Sequence, residues 1–315
     1  MKNARVLMFG WEFPPHISGG LGTACLGIAQ GLAKNGVQVL FVMPKASGDE
    51  DSSVAKIINA SDVEMLQNTE KIEEFWKHIN FMEIGSSLVP YLDPETFARE
   101  RDRYLKEGES RERISYHNKF QFSGKYGANL MEEVYRYALV AGTVAKNHDF
   151  DVIHAHDWLT FPAGIHAKKI SGKPLCIHVH ATDFDRSRGK VNPTVYAIEK
   201  DGMDNADCIM CVSELTRKTV IKQYHQNPEK VFTVHNAVYP LREEVANLPR
   251  PSHKGKEKVV TFLGRITMQK GPEYFVEAAN MVLRRTRNVR FCMAGSGDMM
   301  NQMITLAAER GIADR

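Results

Sequence analysis

Three short segments near the N-terminus most constrain the fold. Arg5–Gly10 is an apolar stretch of strand length, and Val37–Met43 is another. Between them, Gly20–Asn35 places Leu21, Ala24, Cys25, Ile28 and Leu32 on one helical face, and Asn35-Gly36 supplies a C-terminal stop. A strand, a helix and a strand in so short a span close a parallel pair through a right-handed crossover. The alternation resumes with a helix over Ala128–Asn147 and a strand over Asp151–His154. Phe161–Ser171 (helix), Pro174–Val179 (strand), Cys208–Val212 (strand), Glu214–Tyr224 (helix) and Val231–Val234 (strand) extend it. The expected class is therefore α/β, with a doubly wound, Rossmann-like domain over residues 1–240. Its pattern is interrupted at about 46–127, where Glu95–Arg113 alternates in charge like a solvated surface insertion. Residues 241–256 are polar and basic and read as a linker. A second alternation, Val259–Leu263, Pro272–Arg285, Val289–Ala294 and Met299–Arg310, fills 257–315. Two strands are fewer than an open sheet usually has, so this region reads as an incomplete second domain with an exposed apolar edge.

Bulk properties exclude several classes. A net charge of +3 makes no general case for nucleic acid, and no apolar run is long enough to span a bilayer. The N-terminus leads directly into a strand without a signal-peptide pattern, so the reading is cytoplasmic. Five cysteines are too few for a disulfide framework, and Cys208 and Cys211 sit in an apolar strand pattern as core thiols.

The residues that carry chemistry fall at strand ends, where open α/β sheets bind ligands. After the first strand comes Trp11-Glu-Phe-Pro-Pro-His-Ile-Ser-Gly-Gly-Leu-Gly22, in which Gly19, Gly20 and Gly22 let backbone approach a ligand at a helix N-terminus. His154-Ala-His156-Asp157-Trp158 and His178-Val-His180 follow two further strands. Their spacing puts the histidines of each pair on a common face, as a metal site or as one buried and one substrate-facing ring. Asp157 and Trp158 suit a sugar, one accepting hydroxyl protons and the other covering an apolar face. In the second region Arg265 and Lys270 put two cations on one strand-to-helix connection, a site for a diphosphate, and Gly295-Ser-Gly297 forms a turn nearby. No Asp-x-Asp metal grip is read at a strand end.

Taken in order, E-x-x-P…G-G-L-G, H-A-H-D-W, V-H-A and G-R-x4-K-G resemble the retaining glycosyltransferases of the GT-B fold, above all the glycogen and starch synthases. The resemblance covers residues 4–45 and 128–315. It implies a hexosyltransferase of glycogen biosynthesis moving glucose from ADP- or UDP-glucose to an α-1,4-glucan, with no metal and no cofactor. Gly19, Gly20, Leu21 and Gly22 would then face the donor diphosphate. Asp157 and Trp158 would lie by the sugar and acceptor, and His180 would contact the transferred glucose. Arg265 and Lys270 would neutralise the leaving group, with Gly295 and Gly297 near the nucleotide. Two departures stand out. Ile17 occupies the place of a synthase lysine, and the E-x7-E segment that faces the donor sugar would lie beyond Arg315, which predicts a chain inactive as delimited. The alternatives are a related transferase with another acceptor, a glucan-binding unit without turnover, and a metallohydrolase built on the H-x-H pairs. The last leaves Arg265, Lys270 and the glycine loops unexplained.

Overall fold

A computed structural model describes residues 4–17, 19–65, 119–126, 129–237 and 257–315. Most of the 46–127 insertion and all of the 241–256 linker lie outside the described residues. In chain order the elements are β1 (Arg5–Phe9), α1 (Gly20–Lys34), β2 (Gln38–Met43), β3 (Lys56–Asn59), α2 (Leu130–Asn147), β4 (Val152–His156) and α3 (Phe161–Ser171). β5 (Leu175–Val179), α4 (Asp183–Ser187), α5 (Pro193–Asn205), β6 (Cys208–Cys211), α6 (Glu214–Gln223) and β7 (Val231–Thr233) follow. β8 (Lys258–Leu263), α7 (Pro272–Leu283), β9 (Val289–Ala294) and α8 (Met300–Glu309) complete the set.

The first seven strands form one parallel sheet in the order β3-β2-β1-β4-β5-β6-β7. The order reverses between β1 and β4, so their carboxyl ends flank a crevice. Both faces of the sheet are covered. Leu7, Phe9, Ile153, Ala155 and Ile177 pack with Val134, Tyr137 and Val140 of α2 on one side. Val6, Met8 and Phe41 pack with Cys25 and Ala29 of α1 on the other. The hydroxyl of Tyr137 donates to the carbonyls of Gly10 and Val42 at 3.1 and 2.7 Å, tying α2 to the sheet's carboxyl end.

Several elements depart from the expected pattern. β3 lies inside the supposed insertion and pairs with β2, Leu40 opposite Lys56. α5 carries a legible start, since the Asn192 side chain accepts from Thr194 N and Pro193 takes the first position. Its buried face nevertheless contains Glu199 among Val195, Ile198 and Met203, which hides the apolar period. β4 runs on to His156, placing both of its histidines within the strand.

The two-stranded sheet pairs β8 with β9 in parallel. Ile266, Val276, Ala279, Leu283, Val289 and Met303 form its small core. Val259, Val260 and Leu263 of β8 are exposed, Leu263 by 84%. No helix among the described residues is long and apolar enough to cross a membrane.

Candidate active site

The glycines after β1 divide into two roles. A Cβ on Gly22 would lie 2.4 Å from Ile17 Cγ2, so this position is closed by packing. Its amide donates to the buried Glu12 carboxylate at 3.3 Å. A Cβ on Gly19 or Gly20 would meet nothing within 4 Å. α1 begins after an N-cap glycine, Gly19, that offers no capping side chain, and the Glu12 carboxylate meets one amide of its first turn. Leu21 is half-buried and packs against both cores.

His154 and His156 of β4 and His178 of β5 are buried, and His180 just past β5 is half-buried. The rings stack in a cluster, with centroids 4.2 Å apart for His154–His156 and 4.4 Å for His178–His180. His156 Nδ1 and His180 Nε2 share a hydrogen bond of 3.0 Å. Burial, reinforced by the neighbouring imidazoles, pushes His154 and His156 well below the ordinary range. Burial pulls His178 down to about 3, and burial together with the Arg186 charge pulls His180 down to about 4. The cluster is neutral at neutral pH.

Asp157 and Trp158 differ from expectation. Asp157 is buried in a left-handed conformation (φ 58°), and its carboxylate accepts from His180 N at 2.7 Å and from Arg186 at 3.3 Å. It shapes the His180 loop from behind. The Trp158 indole is 1% exposed within the main core, so it presents no face to a sugar.

A buried ion network that the sequence reading missed stands behind this loop. Arg186 of α4 bridges Asp157 and Glu199 and donates to the Ala181 carbonyl at 2.9 Å. Glu199 also accepts from Tyr224 Oη and from Asp183 N. Burial raises the Glu199 carboxyl to about 7 despite Arg186. Asp183-Phe-Asp185 does supply an Asp-x-Asp spacing past β5, but both carboxylates are engaged. Asp185 closes a capping box with Thr182, and Asp183 accepts from Asn192 N at 2.6 Å. That box, Thr182 to Asp185, is the one sequence signal that could have announced α4.

The loops after β8 and β9 run side by side. Ile266 N donates to Ser296 O at 2.8 Å, and Met299 N to Ile266 O at 3.0 Å. A Cβ on Gly295 would fall 1.9 Å from Gly264 O, so the approach requires glycine there. Gly297 is pressed against Ile266 in the same way. Arg265 is half-buried on this ledge, and exposed Lys270 ends the turn Met268–Lys270 before α7. Arg188, capping α4, reaches this turn: it donates to Met268 O at 2.8 Å, pairs with Glu273, and lies 5.5 Å from the Tyr274 ring centroid. α4 thus links the His180 loop to the Lys270 turn.

A parallel sheet with its binding loops at the switch point, facing a second parallel βα unit, defines the GT-B class of glycosyltransferase architecture. The family model described as starch synthase catalytic domain matches residues 5–222, and that of glycosyl transferases group 1 matches 246–315. The chain belongs to the starch synthase catalytic domain family. It is 25% identical to an uncharacterized glycosyltransferase of Methanocaldococcus jannaschii over 98% of this chain and 67% of that protein. It is 22% identical to a glycogen synthase of Mycobacterium tuberculosis over 98% of this chain and 65% of that one. The chain therefore spans about two thirds of the length of these relatives. Its fold is similar to a sucrose-phosphate synthase from Thermosynechococcus elongatus, with a TM-score of 0.64 at 14% identity, covering 99% of this chain and 69% of that chain.

Proposed function

We propose that this chain carries the transfer site of a glycosyltransferase that moves glucose from ADP- or UDP-glucose to an α-1,4-glucan with retention. The observation that carries the reading is the Arg188 bridge, which brings the turn bearing Lys270 against the helix that follows His180. A donor lying between them would direct its glucose toward His180 and its diphosphate toward Arg265, Lys270 and the uncrowded Gly19-Gly20 turn. Cleavage develops positive charge on the sugar and negative charge on the leaving oxygen. Fixed cations at the leaving group lower that barrier, each by about 3 kcal/mol once bound substrate excludes water from them. His180 is neutral and acts as a hydrogen-bonding contact to the sugar, while Asp157 and Arg186 hold its backbone in place. The Trp158 side chain has no part in this reading.

The test is incubation of the chain, and of a version completed to the length of its relatives, with ADP- or UDP-glucose and glycogen, following nucleotide release and the anomeric configuration of the added glucose; the completed version decides. Transfer into glycogen with α-linkage supports the proposal. Retention of glycogen with no nucleotide release favours a glucan-binding unit, and transfer to a different acceptor only would replace the glucan.

A further inference from the structure

We infer that His154, His156 and His178 form a site for a borderline transition-metal dication of the zinc class, seated below the cleft and separate from the groups assigned to the diphosphate. The sheet itself makes the set. His154 and His156 are two apart on β4 and share a face, and His178 on β5 is the register partner of His156. Three imidazoles therefore converge without any loop having to place them. One ligand nitrogen from each lies within 4.8 Å of the other two. Bonds of about 2.0–2.1 Å to a tetrahedral ion need nitrogens about 3.4 Å apart, so the rings must draw together on loading, with a water molecule as the fourth ligand.

A second observation points the same way. Nε2 of His154, Nε2 of His156 and both ring nitrogens of His178 are buried without a hydrogen-bond partner. Such concentration is unusual, because buried polar atoms are nearly always satisfied. His156 is also set up as a ligand. Its Nδ1 is engaged by His180 at 3.0 Å, which leaves the buried Nε2 for an ion, the arrangement by which an outer group fixes a ligand's tautomer. Neutral imidazoles suit zinc, cobalt, nickel or copper. Magnesium and calcium prefer oxygen donors and are poorly matched. At 6, 0 and 2% exposure, His154, His156 and His178 leave a substrate no path to the ion, so its role is to pin the carboxyl ends of β4 and β5 beneath His180. This inference does not depend on the transferase reading.

The experiment strips the full chain with a chelator and titrates it with Co2+, following the ligand-field absorption, with zinc stoichiometry after dialysis as a second readout. The expected result is one equivalent of either ion and a rise in Tm on loading. His154→Gln and His178→Gln should abolish the cobalt spectrum, and His180→Ala should weaken binding about 10- to 100-fold. Arg265→Ala and Lys270→Ala should leave binding unchanged. Should a histidine variant fail to fold, the wild-type spectrum and stoichiometry still decide. Folded wild-type protein that takes up no cobalt and retains no zinc overturns the site, as does binding that survives in folded His154→Gln and His178→Gln.

Discussion

Arg265 and Lys270 differ in setting, one half-buried on a backbone ledge and the other exposed at a turn. In the proposed transfer site both act on charge that peaks in the transition state, so in the protein completed to its relatives' length Arg265→Ala and Lys270→Ala should lower kcat by roughly 10² or more, with smaller changes in nucleotide affinity. Steady-state glucosyl transfer measures this, and two kinetically silent variants would remove the diphosphate site from the proposal. His180→Ala should cost less, since its backbone survives the substitution. Arg186 belongs to the fold more than to the chemistry. Its guanidinium lies between two buried carboxylates, with both pairs at most 6% exposed. Arg186→Ala strands those charges and should cost about 3–5 kcal/mol in denaturant unfolding. An unchanged midpoint would show that Asp157 and Glu199 find other partners.

At the scale of elements, the carboxyl ends of β4 and β5 hold four histidines that resist protonation when folded. In the unfolded chain they take up protons near 6.5, whereas folded His180 and His178 wait until about 4 and about 3. Their contribution is present above 6.5 and is lost as pH falls toward 4, each group tilting stability by about 1.4 kcal/mol per pH unit. Glu199, raised to about 7, has the opposite sign: its contribution is complete below its ordinary 4.5 and is lost as pH rises through 7. Four histidines outweigh one glutamate between 6.5 and 5, so metal-free protein should lose stability on mild acidification. The loss should shrink in His178→Gln. Denaturant midpoints across that range check the sign.

The same elements show what was legible. β1, α1 and β2 were readable because their apolar residues follow one period and a clear stop separates them. The strand-end histidines were visible as two H-x-H spacings, but their convergence depends on the register of β4 against β5, which no local pattern encodes. α4 and α5 were missed because their buried faces carry Asp183, Arg186 and Glu199, charges that satisfy one another only after folding. Trp158 was misplaced for a related reason. An indole beside a carboxylate suits a sugar, and nothing in the sequence reveals that the turn after β4 carries it into the core.

Across the whole molecule, the two sheets differ in how completely they are covered. The seven-stranded sheet is packed on both faces, while Val259, Val260 and Leu263 of β8 remain exposed. An apolar strand left open in this way is a site for association. The chain should self-associate at moderate concentration, and Leu263→Lys should shift sedimentation toward the monomer. An unchanged distribution would mean that association, if seen, uses another face. The Arg188 contact has a consequence for timing. A grip that holds the two sides of the cleft together must also let go before a polymer can leave, and it consists partly of a solvent-accessible ion pair with Glu273. Mobile ions weaken such a pair over a range of about 8–10 Å. On the proposed reading, departure of the lengthened glucan, and not the bond-making step, is then the stage that should quicken with salt. The enzyme would add fewer units per encounter, and shorter chains in the product at raised ionic strength are the record that opening would leave.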